Sequence, residues 1–108
     1  MITAPQLRTF TEQVFIAIGC SETDARLAAD VLVSADLRGV DSHGVARLPG
    51  YVRLYDHGRI NPNPHIHVVH ETPSTAVVDG DRGLGLVVGP WAMQVAIEKA
   101  RTAGTGWV

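Results

Sequence analysis

The stretch DSHGVARLPGY, residues 41–51, carries three chemically versatile side chains at a spacing of four residues: His43, Arg47 and Tyr51. If this segment is helical, steps of four residues put all three side chains on one stripe, each about a turn above the last. An arginine can hold a carboxylate through two parallel hydrogen bonds, while a histidine moves a proton and a tyrosine orients a substrate oxygen. The spacing therefore predicts one pocket for a small molecule that carries a carboxylate.

Each of these residues also has a structural interpretation when it is taken alone. His43 could cap a helix or pack, Arg47 could form a surface ion pair, and Tyr51 could be half-buried packing. Ser42 is a good helix-capping residue that could also offer its hydroxyl to a bound substrate. Neighbours on a helix diverge by about 100°, so the side chains of Ser42 and His43 are not expected to hydrogen-bond each other. Only the set as a whole favours a functional site.

The same stretch begins the third predicted helix. Asp41 is a residue type that caps helices, and the apolar residues that follow keep a helical period until Gly58. Pro49 lies too deep for a first-turn proline in such a helix. It should remove the hydrogen bond to the carbonyl of Val45, and the sequence therefore predicts a bend at that point.

Two amphipathic helices are predicted before this stretch. The first begins at Thr3 or Ala4 and ends at Gly19, and the second follows the capping sequence at residues 21–24 and ends near Gly39. A link this short makes the two helices pack against each other, antiparallel or steeply crossed. We expect the pair to serve as a scaffold.

A hairpin and a fourth helix are predicted after the stretch. Residues 61–64 contain two prolines and form a connector, and residues 65–71 and 75–79 have the partial alternation and β-branched residues of two strands. An apolar-periodic segment then runs from Val87 and stops at Gly104. The predicted order is helices, then a hairpin, then a helix.

A glycine cluster lies between the second strand and the fourth helix, at Gly80, Gly83, Gly85 and Gly89. A phosphate-binding loop would be expected in this position, but the glycines do not follow the order G-x-G-x-x-G, and the acidic residue expected about 20 residues later is missing. A tight turn that lets the helix pack closely on the hairpin is the favoured interpretation.

The remaining candidates for chemistry are three histidines and one cysteine. His65 and His67 project to the same face of a strand and His70 to the other, with no cysteine or carboxylate to complete a tetrahedral set, so no metal site is predicted. Cys20 has no partner for an internal disulfide and is interpreted as packing.

The composition is that of an ordinary globular chain. Of the 108 residues 45% are hydrophobic and 19% charged, which suits one domain at most. The formal net charge is -2 and the basic residues are scattered, which disfavours nucleic-acid binding. No window approaches the ~20 apolar residues of a membrane span, and the N-terminus lacks the regions of a signal peptide. We expect a cytoplasmic protein without membrane association.

Four stretches together resemble the type-2 malate/L-lactate dehydrogenase family: residues 36–49, 60–62, 71–73 and 78–85. The family comprises oxidoreductases of 2-hydroxy acids and related acids that depend on NAD or NADP and whose nucleotide-binding fold is not a Rossmann fold. The resemblance implies an α+β segment, with a three-helix region at residues 1–60 followed at residues 61–108 by the truncated beginning of a central α/β domain. Independently of the resemblance, the apolar residues Trp107 and Val108 look like the first residues of a further strand.

The resemblance also implies roles for the residues of the stretch. His43 would be catalytic at the C2 oxygen of the substrate, Arg47 would hold the substrate carboxylate, and Ser42 and Tyr51 would line the pocket. It assigns no cofactor-binding residue here, because family members are much longer and carry most of those contacts, and a further active-site histidine, beyond Val108. Family members also suggest a homodimer. The alternative is a non-catalytic helical module that binds a small anion or associates with another subunit.

Overall fold

The computed structural model describes residues 1–108, which form two compact units, Met1–Asn63 and Pro64–Val108. The first contains helices α1 (Ala4–Ala17), α2 (Glu22–Leu37) and α3 (Leu48–Asp56), and the second contains strands β1 (His67–Glu71) and β2 (Ala76–Asp79) and helix α4 (Gly85–Ala103). Two single-turn 3-10 helices, Asp41–His43 and Val45–Arg47, connect α2 to α3. The predicted α+β class is confirmed. None of the helices combines the length and the apolar character that crossing a bilayer requires.

The first two helices begin and end at the signals that the sequence contains. Thr3 caps α1 in a capping box, since its backbone N–H donates to Oε1 of Gln6 at 2.9 Å and its hydroxyl accepts from the backbone N–H of Gln6. Ser21 caps α2 by accepting from the N–H of Asp24 at 3.1 Å. Gly19 follows α1 with a φ of +104°, which a residue with a side chain rarely adopts.

The core of the first unit lies between α1 and α2. Phe15 of α1 is completely buried and α2 contributes Leu32 and Val33, each 1% exposed. Three buried alanines let α2 approach α1 closely: Ala25, Ala28 and Ala29. At the rim, Arg8 pairs with Asp30 at 3.0 Å. The predicted scaffold pair is thus confirmed.

The predicted third helix is wrong in its first half. The chain forms two 3-10 turns between Asp41 and Arg47, here called the double turn, and the α-helix begins only at Leu48. Gly44 separates the turns with φ -90° and ψ -149°, which interrupts the helical path. Pro49 therefore lies in the first turn of α3, where its missing N–H has no helical partner to lose, and the predicted bend does not occur.

The predicted hairpin is confirmed in the second unit. Strands β1 and β2 pair antiparallel with Val68 opposite Val78, and a bulge shifts the register so that His70 faces Val77. Val69 lies in the bulge and is 61% exposed. The regular strand begins at His67, later than predicted.

Helix α4 is anchored to the end of the hairpin. The ammonium group of Lys99 is 2.8 Å from Oε2 of Glu71 and donates to the carbonyl of Thr72 at 2.7 Å. That hydrogen bond lowers the pKa of the Glu71 carboxyl below its ordinary value. The helix ends before Gly104, whose φ of +86° is left-handed, as the sequence predicted.

Close packing explains the glycines at the start of α4. A Cβ on Gly80 would lie 2.9 Å from a methyl carbon of Val88, and a Cβ on Gly83 would lie 2.7 Å from Cγ of Pro64. The N–H of Gly83 also closes the turn on the carbonyl of Gly80 at 2.8 Å. The predicted tight turn is confirmed.

Trp107 pairs with the residue that precedes β2. It forms a parallel bridge with Thr75, donates its N–H to the carbonyl of Ser74 at 2.9 Å and accepts from the N–H of Ala76 at 2.8 Å. The structure has a single bridge at the position where a strand was predicted.

Candidate functional site

Ser42 and His43 form a side-chain hydrogen bond that the sequence did not predict. Oγ of Ser42 lies 2.9 Å from Nδ1 of His43. Adjacent side chains diverge on an α-helix, but the 3-10 turn at residues 41–43 followed by Gly44 holds the two together. The contact fixes one ring nitrogen and leaves Nε2 of His43 to face solvent or a ligand.

Arg47 is tied to the same turn through its inner nitrogen. Its Nε donates to the backbone carbonyl of Ser42 at 2.7 Å. This single bond orients the guanidinium plane, while the two terminal NH₂ groups make no hydrogen bond or ion pair within the chain. Arg47 therefore presents a free pair of parallel donors, the arrangement that suits a carboxylate.

Tyr51 packs on the core and forms no hydrogen bond to these three residues. It lies in the first turns of α3 and its ring is 6.1 Å from that of Phe15, tilted by 54°. No hydrogen bond joins Tyr51 to Ser42, His43 or Arg47. The structure thus brings Ser42, His43 and Arg47 into one bonded set and gives Tyr51 a half-buried place on the core.

Asp36 is a part of this region to which the sequence assigned no role. It lies in the last turn of α2, and its Oδ2 accepts from the backbone N–H of Val45 at 2.9 Å. A Cβ on Gly44 would overlap the Asp36 carboxylate, so only glycine fits there. In the sequence this contact corresponds only to an acidic residue eight positions before a glycine, and no local pattern predicts that the two residues meet.

The bonded set combines two chemical capacities on an exposed surface. Ser42, His43 and Arg47 are all exposed, so the first unit presents them on an open surface and not in an enclosed pocket. Nε2 of His43 can give or take a proton, and Arg47 can bind an anion. A proton-transfer group beside an anion-binding group suits a small acid whose reacting oxygen is close to its carboxylate.

Cys20 and the pair His65 and His67 take no part in this set. Cys20 is buried, and desolvation, with a smaller contribution from Asp24, raises the pKa of its thiol from 9.0 to about 11, so it packs as a neutral thiol. The rings of His65 and His67 stack at 5.0 Å, and the structure contains no group of three or more metal-ligating residues.

The glycine turn before α4 is closely packed at two of its four glycines. Val88 lies where Gly80 would carry a Cβ, and Pro64 lies where Gly83 would carry one. The N–H groups of Val87 and Val88 both donate to the carbonyl of Leu84. These contacts support the packed turn that the sequence predicted.

Comparison with known proteins identifies the family. A family model for malate/L-lactate dehydrogenase matches residues 2–108. The chain belongs to this family. An L-sulfolactate dehydrogenase of Methanocaldococcus jannaschii is 53% identical over 90 residues, which are 83% of this chain and 26% of that protein. A malate dehydrogenase of Pyrococcus abyssi is 49% identical over 107 residues, 99% of this chain and 30% of that protein.

A solved structure of a malate dehydrogenase contains the fold of this chain. The malate dehydrogenase of Pyrococcus horikoshii matches it with a TM-score of 0.93 and 48% identity over 97% of this chain and 30% of that chain. The resemblance found in the sequence is thereby confirmed. The chain spans less than a third of the length of each of these three proteins.

Proposed function

We propose that this chain supplies the substrate side of an oxidoreductase that moves a hydride between NAD or NADP and the C2 carbon of a small 2-hydroxy or 2-oxo acid, such as malate or lactate. Membership of the malate/L-lactate dehydrogenase family supports the reaction class. The hydride exchange belongs to the nicotinamide, to which no residue of this chain is assigned.

The observation that carries the proposal is the free guanidinium end of Arg47 beside the His43–Ser42 pair. Arg47 binds the carboxylate of the acid with its two terminal NH₂ groups, since its Nε is already bonded to the carbonyl of Ser42. A carboxylate held at two points leaves the acid little freedom to rotate, which fixes its C2 oxygen.

His43 handles the proton at the C2 oxygen. In the reductive direction its Nε2 gives a proton to that oxygen, and in the oxidative direction the same atom takes it back. Ser42 keeps the ring oriented through Nδ1 in both directions, because its hydroxyl can either accept or donate a hydrogen bond. Tyr51 is assigned to the wall of the substrate site.

Steady-state kinetics on a graft tests this assignment. Residues 2–108 would replace the matching segment of the Pyrococcus abyssi malate dehydrogenase, and turnover would be followed by nicotinamide absorbance. Arg47→Ala should raise KM for the 2-oxo acid at least about 30-fold, the loss expected for a charged bidentate contact. His43→Ala should lower kcat at least about 100-fold, as expected for loss of a general acid.

The matched control is Arg53→Ala, which removes an exposed arginine of α3 that forms no ion pair. It should leave both kinetic constants within about twofold, as for an ordinary surface change. An Arg47→Ala variant that kept the KM of the graft would show that the carboxylate is bound elsewhere. Unchanged kcat in His43→Ala would remove the proton-transfer role.

Fluorescence titration of the isolated 108-residue chain with NADH and NADPH separates an autonomous enzyme from a supporting segment. Because the glycine turn is already packed, we expect no saturable binding of either nucleotide. Binding strengthened by a 2-oxo acid would contradict that expectation and assign part of the nucleotide site to this chain.

A further inference from the structure

We propose that Asp36 is a positioning residue of this site, whose carboxylate sets the geometry between the turn that carries His43 and the turn that carries Arg47. The inference rests on the proposed function for its catalytic consequence. The contacts from which it is argued all lie within the first unit.

Asp36 replaces a helix cap that the double turn lacks. Gly44 occupies the N-cap position of the turn Val45–Arg47 and has no side chain to offer. The carboxylate of Asp36 reaches this position from α2 and accepts from the N–H of Val45, the first residue of the turn, at 2.9 Å. The capping oxygen thus comes from another element of the fold.

The two partners are specific to each other. Gly44 is buried although its neighbours Ser42, His43 and Ala46 are exposed, and the space of its absent Cβ is filled by the Asp36 carboxyl group. A carboxylate at Asp36 therefore requires glycine at position 44. The peptide held in this way lies directly after His43 and three residues before Arg47.

Two short turns need such an anchor. A single 3-10 turn has little stability of its own, and neither turn here has a side-chain cap from its own N-cap residue. Asp36 extends from a helix whose Leu32 and Val33 are almost completely buried, so the anchor belongs to a well-packed element. Loss of the anchor should let His43 and Arg47 shift relative to each other, and a shift of about 1 Å can cost 100-fold in rate.

A double-mutant cycle on the graft tests the pairing. Asp36→Ala should lower kcat and raise KM for the 2-oxo acid, with kcat/KM falling about 10- to 100-fold, because both His43 and Arg47 lose their fixed positions. Asp36→Asn should recover activity to within about threefold of the graft, since its amide oxygen can still accept from Val45. Asp56→Ala, at the exposed end of α3, is the matched control and should have no effect.

The second arm of the cycle uses Gly44→Ala. Alone it should be at least as damaging as Asp36→Ala, since its methyl group collides with the carboxylate. In the Asp36→Ala background the same methyl group enters vacated space, so kcat/KM of the double variant should exceed that of Gly44→Ala by about tenfold, a coupling typical of residues in contact. Additive losses, or no rescue by Asp36→Asn, would mean that Asp36 acts through general stability and would overturn the proposal.

Nitrogen NMR on the 108-residue chain gives a readout that does not depend on turnover. Asp36→Ala should shift the amide resonance of Val45 and the Nδ1 resonance of His43, while Asp56→Ala leaves both in place. If His43→Ala and Arg47→Ala left the graft fully active, the proposed function would be wrong, and these resonances alone would decide the role of Asp36. Unchanged resonances in Asp36→Ala would refute it.

Discussion

The α1–α2 pair and the double turn are neighbours in sequence but differ in burial and in how many of their polar atoms are hydrogen-bonded. The helix pair buries Phe15, Leu32 and Val33 almost completely, and its rim carries ion pairs. The double turn exposes Ser42, His43 and Arg47, and leaves donors and acceptors without partners in the chain. The helix pair therefore supplies the buried contacts that stabilise the first unit, whereas the double turn carries polar atoms that have no partner within the chain.

The contrast shows how a weak element can hold precise geometry. Two 3-10 turns would not persist alone, but Asp36 ties them to α2 and Tyr51 rests on Phe15 of α1. The double turn is thus anchored to the helix pair, while the terminal NH₂ groups of Arg47 and Nε2 of His43 make no hydrogen bond within the chain. Changes to the buried side chains of the helix pair should therefore affect stability and activity together, and changes to the exposed side chains of the double turn should affect activity alone.

The largest expected effect is that of Phe15→Ala. The side chain is completely buried, so its removal should lower the free energy of unfolding by about 3 to 5 kcal/mol, a large part of the stability of a small domain. Denaturant unfolding followed by circular dichroism measures this loss. Phe10→Ala is the matched control on the same helix, because Phe10 is 58% exposed and should change stability by less than about 1 kcal/mol. Similar losses in the two variants would contradict the assigned core.

An intermediate effect is expected from Cys20 at alkaline pH. Its thiol pKa is raised from 9.0 to about 11 in the folded chain, so the unfolded chain releases its proton first. The contribution is fully present below pH 9 and is lost as the pH rises toward 11, by about 1 to 2 kcal/mol. The free energy of unfolding of the chain and of Cys20→Ala is measured between pH 8 and 11. The difference between the two proteins isolates the thiol, because the other groups that titrate in this range are common to both. Parallel pH profiles would show that the thiol is solvated.

The helices and the hairpin could be predicted because their signals are local. Ser21 and Asp24 are only three residues apart and form the cap that was predicted at residues 21–24, and Thr3 and Gln6 form a cap at the same spacing. Gly104 stops α4 in the same local way. These elements are fixed by residues that the chain brings together without any long-range contact.

The double turn could not be predicted because its determinant is distant. A helical period through Val45 and Leu48 favoured one continuous helix from Asp41, but the Asp36 carboxylate caps Val45 and fills the space beside Gly44. That contact overrides the local preference and makes Pro49 a first-turn residue. The residue types of the site were visible in the sequence, whereas the hydrogen bond between Ser42 and His43 depended on this interruption of the helix.

The smallest effect on stability, and the sharpest test of the boundary between the two regions, is expected from Tyr51→Phe. The ring of Tyr51 packs on Phe15 and belongs to the stable region, and its hydroxyl is the group proposed to contact the substrate. Phenylalanine keeps the ring pair, so the free energy of unfolding should change by less than about 0.5 kcal/mol. If the hydroxyl orients the acid, kcat/KM of the graft should still fall about tenfold, the size of one hydrogen bond to substrate. Tyr51→Leu is the companion variant, and it should lose about 1 kcal/mol of stability with the aromatic pair. Unchanged kcat/KM in Tyr51→Phe would assign Tyr51 wholly to the core and leave Ser42, His43 and Arg47 as the site.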